Sequence, residues 1–224
     1  MKGKNNYFFW IFLFVFLTTY YVDTNKSSKY NFLPLKKISI TGNINSNKKD
    51  MQSDLNEFIG QNIILISRAQ LEVIIKDYKF VKELKIKKIY PDKISIEVNE
   101  FKPLAIYIKG NSKFILTDGK EKFINYSDKK FDSLPLVFGK GADINFLNMY
   151  TSLKKVDFQI DLIKQFNYFQ INRWDIILKN GKILKLPQKN YEKSLKKFLV
   201  INKKDNYKNF KVFDFRIKEQ LILR

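Results

Sequence analysis

Residues 79–100 read KFVKELKIKKIYPDKISIEVNE, two runs in which apolar and charged side chains take turns on either side of YPD. Side chains along a strand point to opposite faces with a period of two, so Leu84 and Ile86 share one face, as do Ile94, Ile96 and Val98. Tyr90, Pro91 and Asp92 stand where a turn is needed, since proline presets φ and an aspartate bonds its own nearby backbone. The stretch reads as a half-buried hairpin whose wet face carries Lys85, Lys87, Lys93 and Glu97. Charge on a surface strand is by itself weak evidence of a dedicated anion site.

Upstream of the hairpin, KKISITG alternates Ile38 and Ile40 against Lys37 and Ser39, the pattern of a strand closed by Gly42. Met51, Leu55, Phe58 and Ile59 then fall at the spacing of a short helix ended by Gly60. Ser67 is placed to cap a second helix whose stripe is Leu71, Ile74, Ile75 and Tyr78. The order strand, helix, helix, strand, strand predicts an α+β unit with both helices on one face of a small sheet.

The N-terminus places Lys2 and Lys4 before an uncharged apolar run from Tyr7 to Val22. As a helix this run is about 24 Å long, short of the ~30 Å hydrocarbon core, so bilayer thinning or the flanking tyrosines must help. Small residues, which a signal peptidase needs, are missing after the run, where Tyr20, Tyr21, Val22 and Asp23 stand. The segment therefore reads as an uncleaved single-pass membrane anchor, with residues 1–6 cytoplasmic and the bulk of the chain exported. Residues 23–34 are a polar linker.

The 224 residues carry 42 Lys and Arg against 22 Asp and Glu, a formal net charge of +20. That excess is spread along the whole length and accompanies many Asn, Ile, Phe and Tyr, all with A/T-rich codons. No nucleic-acid-binding motif gathers it, so nucleic acid is not expected as a partner. An anionic lipid surface or cell-wall polymer suits a field of this sign. Cysteine and histidine are both absent, which excludes disulfides, thiol chemistry, the usual zinc ligands and every Ser/His or Cys/His nucleophile pair. An enzyme built on this chain would have to work through carboxylates such as Glu100 or Asp118. The simpler reading makes one a strand end and the other a turn residue, and no catalysis, metal, cofactor or small-molecule substrate is expected.

Beyond the hairpin the pattern is strand-rich. Asp118 with Gly119, and Asn180 with Gly181, sit between alternating apolar runs and signal two hairpins. Phe146, Met149, Tyr150 and Leu153 mark one helix; Tyr191, Leu195, Phe198 and Leu199 mark another. Trp174 reads as a core anchor. The GKGA at residues 139–142 lacks the spacing and terminal Lys-Ser/Thr of a phosphate loop. The chain closes on FKVFDFRIKEQLILR, with Leu221 and Leu223 on one face and Ile222 on the other. A hairpin inside the sheet is one reading of these runs. Its turn, near Lys218 and Glu219, has no Gly or Asn to fix the register. The other is an apolar edge strand without Pro, bulge or dense charge, open to pairing with another chain.

Taken in order, ISITGN, KFVKELKIKKIYPDKISIEVNEFKPLAIY with Phe80, Val81, Glu100, Pro103 and Ala105, TDGK, LPLVFGKGA, NRWDIILKNGKILKLP and FDFR resemble the FtsQ/DivIB family of bacterial cell-division proteins. The likeness runs from the apolar segment to the last residue. It implies a POTRA domain at residues 35–103 and an FtsQ-type β domain at 104–224. It also implies a scaffold of the inner membrane at the division septum, its bulk in the periplasm, that recruits the membrane-anchored FtsB and FtsL and, through the POTRA domain, further division proteins. The partner-binding positions implied are Phe215, Arg216, Ile217, Lys218, Glu219, Gln220, Leu221, Ile222, Leu223 and Arg224. The competing reading is a POTRA-bearing factor of outer-membrane protein assembly or secretion, which too few lipid-facing strands disfavour.

Overall fold

The computed structural model describes residues 5–18, 32–119, 123–125 and 129–224. The chain groups into two compact units, one of Met1–Thr41, Asn47–Ile75 and Lys85–Glu97, the other of Gly42–Ser46, Lys76–Leu84 and Val98–Arg224.

Helix α1 spans Asn5–Thr18, fourteen residues, and its large apolar side chains from Tyr7 to Leu17 are nearly all exposed. At 1.5 Å per residue it is about 21 Å long. No helix among the described residues is long and apolar enough to cross a membrane, and Thr19–Val22 of the expected anchor lie outside the described residues.

The predicted order of the first domain is found: β1 (Lys37–Thr41), α2 (Lys48–Asp54), α3 (Arg68–Lys76), β2 (Val81–Ile89) and β3 (Lys93–Glu100). The three strands form one sheet in the order β1-β3-β2. β1 runs parallel to β3, with Ile38 opposite Ile94 and Ile40 opposite Ile96. The buried face is the predicted one: Ile40, Met51, Leu55, Leu71, Ile75, Ile94 and Ile96 are fully enclosed. Ser67 caps α3 as expected. Its hydroxyl accepts from the Gln70 N–H at 3.2 Å while the Gln70 side chain accepts from the Ser67 N–H at 2.8 Å, a reciprocal box. The first helix differs from expectation. α2 stops at Asp54, and a separate 3₁₀ turn covers Asn56–Phe58. Ile59 is extended and exposed, because the chain must turn outward into Gly60 at φ +87°. The hairpin turn holds a cis Tyr90–Pro91 peptide, and on its wet face Lys85 pairs with Glu97 at 3.5 Å.

The second unit is built on nine strands: β4 (Pro103–Lys109), β5 (Ser112–Thr117), β6 (Phe123–Asn125), β7 (Leu136–Phe138), β8 (Ile163–Phe169), β9 (Arg173–Leu178), β10 (Ile183–Lys185), β11 (Val212–Asp214) and β12 (Ile222–Leu223). Their order in the sheet is β12-β11-β10-β9-β8-β7-β4-β5-β6. The two helices foreseen from their stripes are α4 (Ala142–Lys155), between β7 and β8, and α5 (Tyr191–Ile201), between β10 and β11. Each joins strands that run parallel to a neighbour, as crossover connections require. Asn180–Gly181 makes a hairpin between β9 and β10, with Gly181 at φ +83° and the Asn180 side chain accepting from the Lys182 N–H. Asp118–Gly119 opens the connection from β5 to β6, of which residues 120–122 lie outside the described residues. The tightest hairpin was not foreseen. It lies between β4 and β5 at Gly110–Asn111, with Gly110 at φ +58°.

Both helices cover one face of this sheet. Phe146 of α4 meets Phe166 edge-on at 5.3 Å and Trp174 at 6.5 Å, while Tyr168 lies 4.7 Å from Trp174. Phe198 of α5 meets Phe213 edge-on at 5.0 Å. Trp174 is buried in this core, the anchor expected of it.

Candidate functional site

Strand β12 stands at the end of the nine-stranded order and pairs antiparallel with β11, Phe213 opposite Leu223 and Asp214 opposite Ile222. The last fifteen residues hold a hairpin whose second strand stands at the sheet edge. Leu221 and Leu223 lie against the core and Ile222 is on the other face, as the alternation foretold. Val212 and Arg224 exchange both backbone bonds, at 2.9 and 3.2 Å. Directly opposed antiparallel pairs alternate between bonded and non-bonded, so the N–H and C=O of Leu223 point away from β11. The turn without Gly or Asn is closed by Glu219, which takes φ +62° itself.

Beside this edge is a cavity of about 660 Å³, lined by Phe215 to Gln220, the β8–β9 turn and the start of α5. Six cationic side chains line it, Arg173, Lys189, Lys193, Lys197, Arg216 and Lys218, against one carboxylate, Glu219. Of the ten residues predicted as partner-binding, Phe215, Arg216, Ile217, Lys218, Glu219 and Gln220 line the cavity, Ile222 and Leu223 form the edge strand, and Leu221 and Arg224 flank it. The residues of α5 and Arg173 were missed. Lys193 and Lys197, four residues apart on α5, were a legible signal of a basic helix face, with Lys189 just ahead of the helix.

Arg216 is held in place by Asp214, its guanidinium donating to both carboxylate oxygens at 2.6–3.0 Å. The register sets Asp175 of β9 opposite Lys185 of β10, and Lys185 opposite Asp214 of β11. A row of alternating charge thus crosses three strands toward the edge. Arg173 approaches Asp175 to 3.6 Å without a hydrogen bond and stacks over the Phe169 ring at 4.1 Å. The two carboxylates respond oppositely. The hydrogen bonds from Arg216 hold Asp214 below the usual carboxylate range, whereas burial pushes Asp175 up against the pull of Arg173.

The signs follow from linkage. A lowered native pKa gives stability that is present above the ordinary value, about 3.9, and lost as pH falls through the native one; a raised pKa means that ionisation costs stability. Asp214→Asn is therefore expected to cost about 1.5–3 kcal/mol near neutral pH, the worth of charge-assisted bonds, with the deficit shrinking in strong acid. Asp175→Asn is expected to leave neutral-pH stability unchanged or higher. Urea unfolding across pH checks both, and equal losses for the two variants would contradict the assignment.

The carboxylates considered for catalysis have structural partners. Glu100 accepts from the backbone N–H of Asn45 at 2.6 Å and of Ser46 at 2.9 Å. Burial would raise its pKa, but these bonds outweigh it and hold the carboxyl below its ordinary value. Asp118 accepts from the Lys102 N–H at 2.9 Å and pairs with Lys82 at 3.5 Å.

Two family models cover most of the chain. Residues 33–101 match the FtsQ-type POTRA domain, and residues 105–216 match the C-terminal domain of cell division protein FtsQ/DivIB. The chain belongs to the FtsQ/DivIB family. Among curated relatives, this family member is 28% identical over 188 residues to the cell division protein FtsQ of Rickettsia bellii, covering 83% of this chain and 70% of that one. It is 28% identical over 207 residues to FtsQ of Rickettsia conorii, covering 92% and 76%. To FtsQ of Neisseria gonorrhoeae it is 27% identical over 173 residues, covering 75% and 69%. A solved extracytoplasmic domain of the division protein DivIB from Geobacillus stearothermophilus aligns at a TM-score of 0.33 and 12% identity, over 46% of this chain and 92% of that one. The FtsQ/DivIB match ends at Arg216, so the residues from Ile217 onward lie beyond it.

Proposed function

We propose that this cell-division protein is a single-pass inner-membrane scaffold that docks membrane-anchored partners of the FtsB and FtsL type by strand addition at β12. The observation that carries the reading is the terminal edge, an apolar strand whose Leu223 backbone groups face outward. Such an edge lends main-chain bonds to an incoming strand, and its alternate side chains choose the partner. In this reading α1 begins the anchor, with the N-terminus cytoplasmic and the two folded units in the periplasm at the septum. Confinement to the membrane plane raises the effective concentration of each contact once the first has formed. The scaffold acts by assembly and not by catalysis.

Paired substitutions at one residue test the docking. Leu223→Pro removes the outward N–H, whereas Leu223→Ala keeps it and removes a similar amount of packing. Titration calorimetry against the periplasmic parts of FtsB and FtsL is expected to show the proline variant at least about tenfold weaker than the alanine variant, the worth of one to two net hydrogen bonds. Equal affinities would rule out strand addition at this edge. Removing Glu219–Arg224 is expected to abolish binding while circular dichroism of the remainder is retained.

A further inference from the structure

In the first unit three segments are tied together around Leu33 to Lys37. Pro34 bridges to Asn62, Ile63 donates to the Leu33 carbonyl at 3.0 Å, and Leu35 donates to Gln61 at 2.8 Å. Lys36 and Lys37 both donate to the carbonyl of Asp92 in the hairpin turn, at 2.8 and 3.2 Å. The ammonium of Lys88 donates to the Ile64 carbonyl at 2.9 Å. This end of the unit therefore gathers residues 32–37, the loop after Gly60 and the tip of the hairpin.

The same segments hold apolar side chains that the core does not use. Phe32 is 72% exposed, Leu65 78%, Tyr90 57%, Ile64 50% and Ile89 45%. Cations are interleaved with them: Lys36, Lys37, Lys87, Lys88 and Lys93 stand in these segments against the one carboxylate Asp92, and Asp92 is already paired with Lys36 at 3.4 Å. Aromatic and aliphatic side chains mixed with lysines are the composition that settles at a headgroup boundary, where the apolar part leaves water and the ammonium groups meet anionic lipid. The tether points the same way. Thr18, the last residue of the apolar α1, is fourteen residues before Phe32, which limits the rim to within about 50 Å of the anchor even with the chain fully extended.

We propose that this rim, Phe32, Ile64, Leu65, Ile89 and Tyr90 with their flanking lysines, is a lipid-binding surface that seats the first unit on an anionic bilayer. The proposal rests on the anchored reading given above, and its test separates the two. The chain has no cysteine, so single-cysteine reporters can be placed in the full-length protein. Phe12→Cys reports on α1, Leu65→Cys and Tyr90→Cys on the rim, and Val200→Cys, an exposed apolar position of α5, on the label itself. Each is labelled with an environment-sensitive fluorophore and reconstituted in nanodiscs of phosphatidylcholine, with or without phosphatidylglycerol, in which the acyl chains carry a bromine quencher.

The expected result is quenching at Phe12 in both lipids, and quenching at Leu65 and Tyr90 that is strong with phosphatidylglycerol, weak without it and reversed by salt. Val200 should stay unquenched. Lys87→Gln is expected to reduce the fraction of rim label at the lipid about fivefold, the contribution of one surface lysine. Quenching at Phe12 with none at Leu65 and Tyr90 overturns the lipid rim while the anchor stands, and leaves the apolar side chains as a protein contact. Equal quenching at Val200 and Leu65 overturns it as an effect of the label. No quenching at Phe12 defeats the anchored reading, and the rim with it.

Discussion

Trp174→Ala is expected to lower the stability of the second unit by about 3–5 kcal/mol, a large share of the roughly 5–15 kcal/mol by which a domain is ordinarily stable. The indole is buried and sits among Phe146, Phe166 and Tyr168, with ring centres at 6.5, 6.2 and 4.7 Å. Those rings come from α4 and β8, so the tryptophan is where the crossover helix meets the sheet. Its removal leaves a cavity that the surrounding rings cannot fill without leaving their rotamers. The loss is measured as the shift of the urea midpoint at unchanged slope. A loss below about 1 kcal/mol would mean that the aromatic cluster rearranges freely, against the close-packed core described above.

A second large effect is expected at Gly139, in the GKGA that leads into α4. Its φ is +114°, and a Cβ built there would lie 2.1 Å from the Tyr168 carbonyl oxygen. Gly181 provides the control, since its φ is +83° with nothing within 4 Å of a Cβ. Gly181→Ala should cost only the positive φ, about 1–2 kcal/mol, whereas Gly139→Ala should add about 1–3 kcal/mol of overpacking. The difference between the two, read from thermal or urea unfolding, isolates the close approach of backbone to backbone. Equal costs would remove the steric argument. The motif that resembled a fragment of a phosphate loop is therefore a packing device. Tyr107 donates from its hydroxyl to the Gly139 carbonyl, and Tyr168 donates to Asn172 while accepting from Asn145, bracing the same turn.

The first domain was legible because its signals are local. Alternation in Lys79–Glu100 fixes which residues of a strand are buried whatever they pack against, and Ser67 with Gln70 closes its capping box within four residues. The same holds for the helical stripes of α4 and α5 and for the alternation of Leu221, Ile222 and Leu223. Where the reading failed, the cause was an energy not written in the pattern. Met51 to Ile59 has helical spacing, but the turn at Gly60 takes Ile59 out of the helix. The hairpin at Gly110–Asn111 was passed over because Asp-Gly and Asn-Gly are stronger signals, although a glycine at φ +58° serves as well.

What the sequence determined by itself is therefore the element order and buried face of the first domain, the two helices of the second unit and the family. The tertiary structure decided which residues share a site. Only sheet order puts the last two-residue strand at an edge, and only register brings Asp175, Lys185 and Asp214 into one row. Arg173 and Lys197 line the same cavity as Arg216 because β9, α5 and the last hairpin meet there. The hydrophobic period along a chain reports burial at each position, since that depends on the local direction of each side chain. Proximity between segments far apart in sequence depends on which strands pair, which no local period encodes.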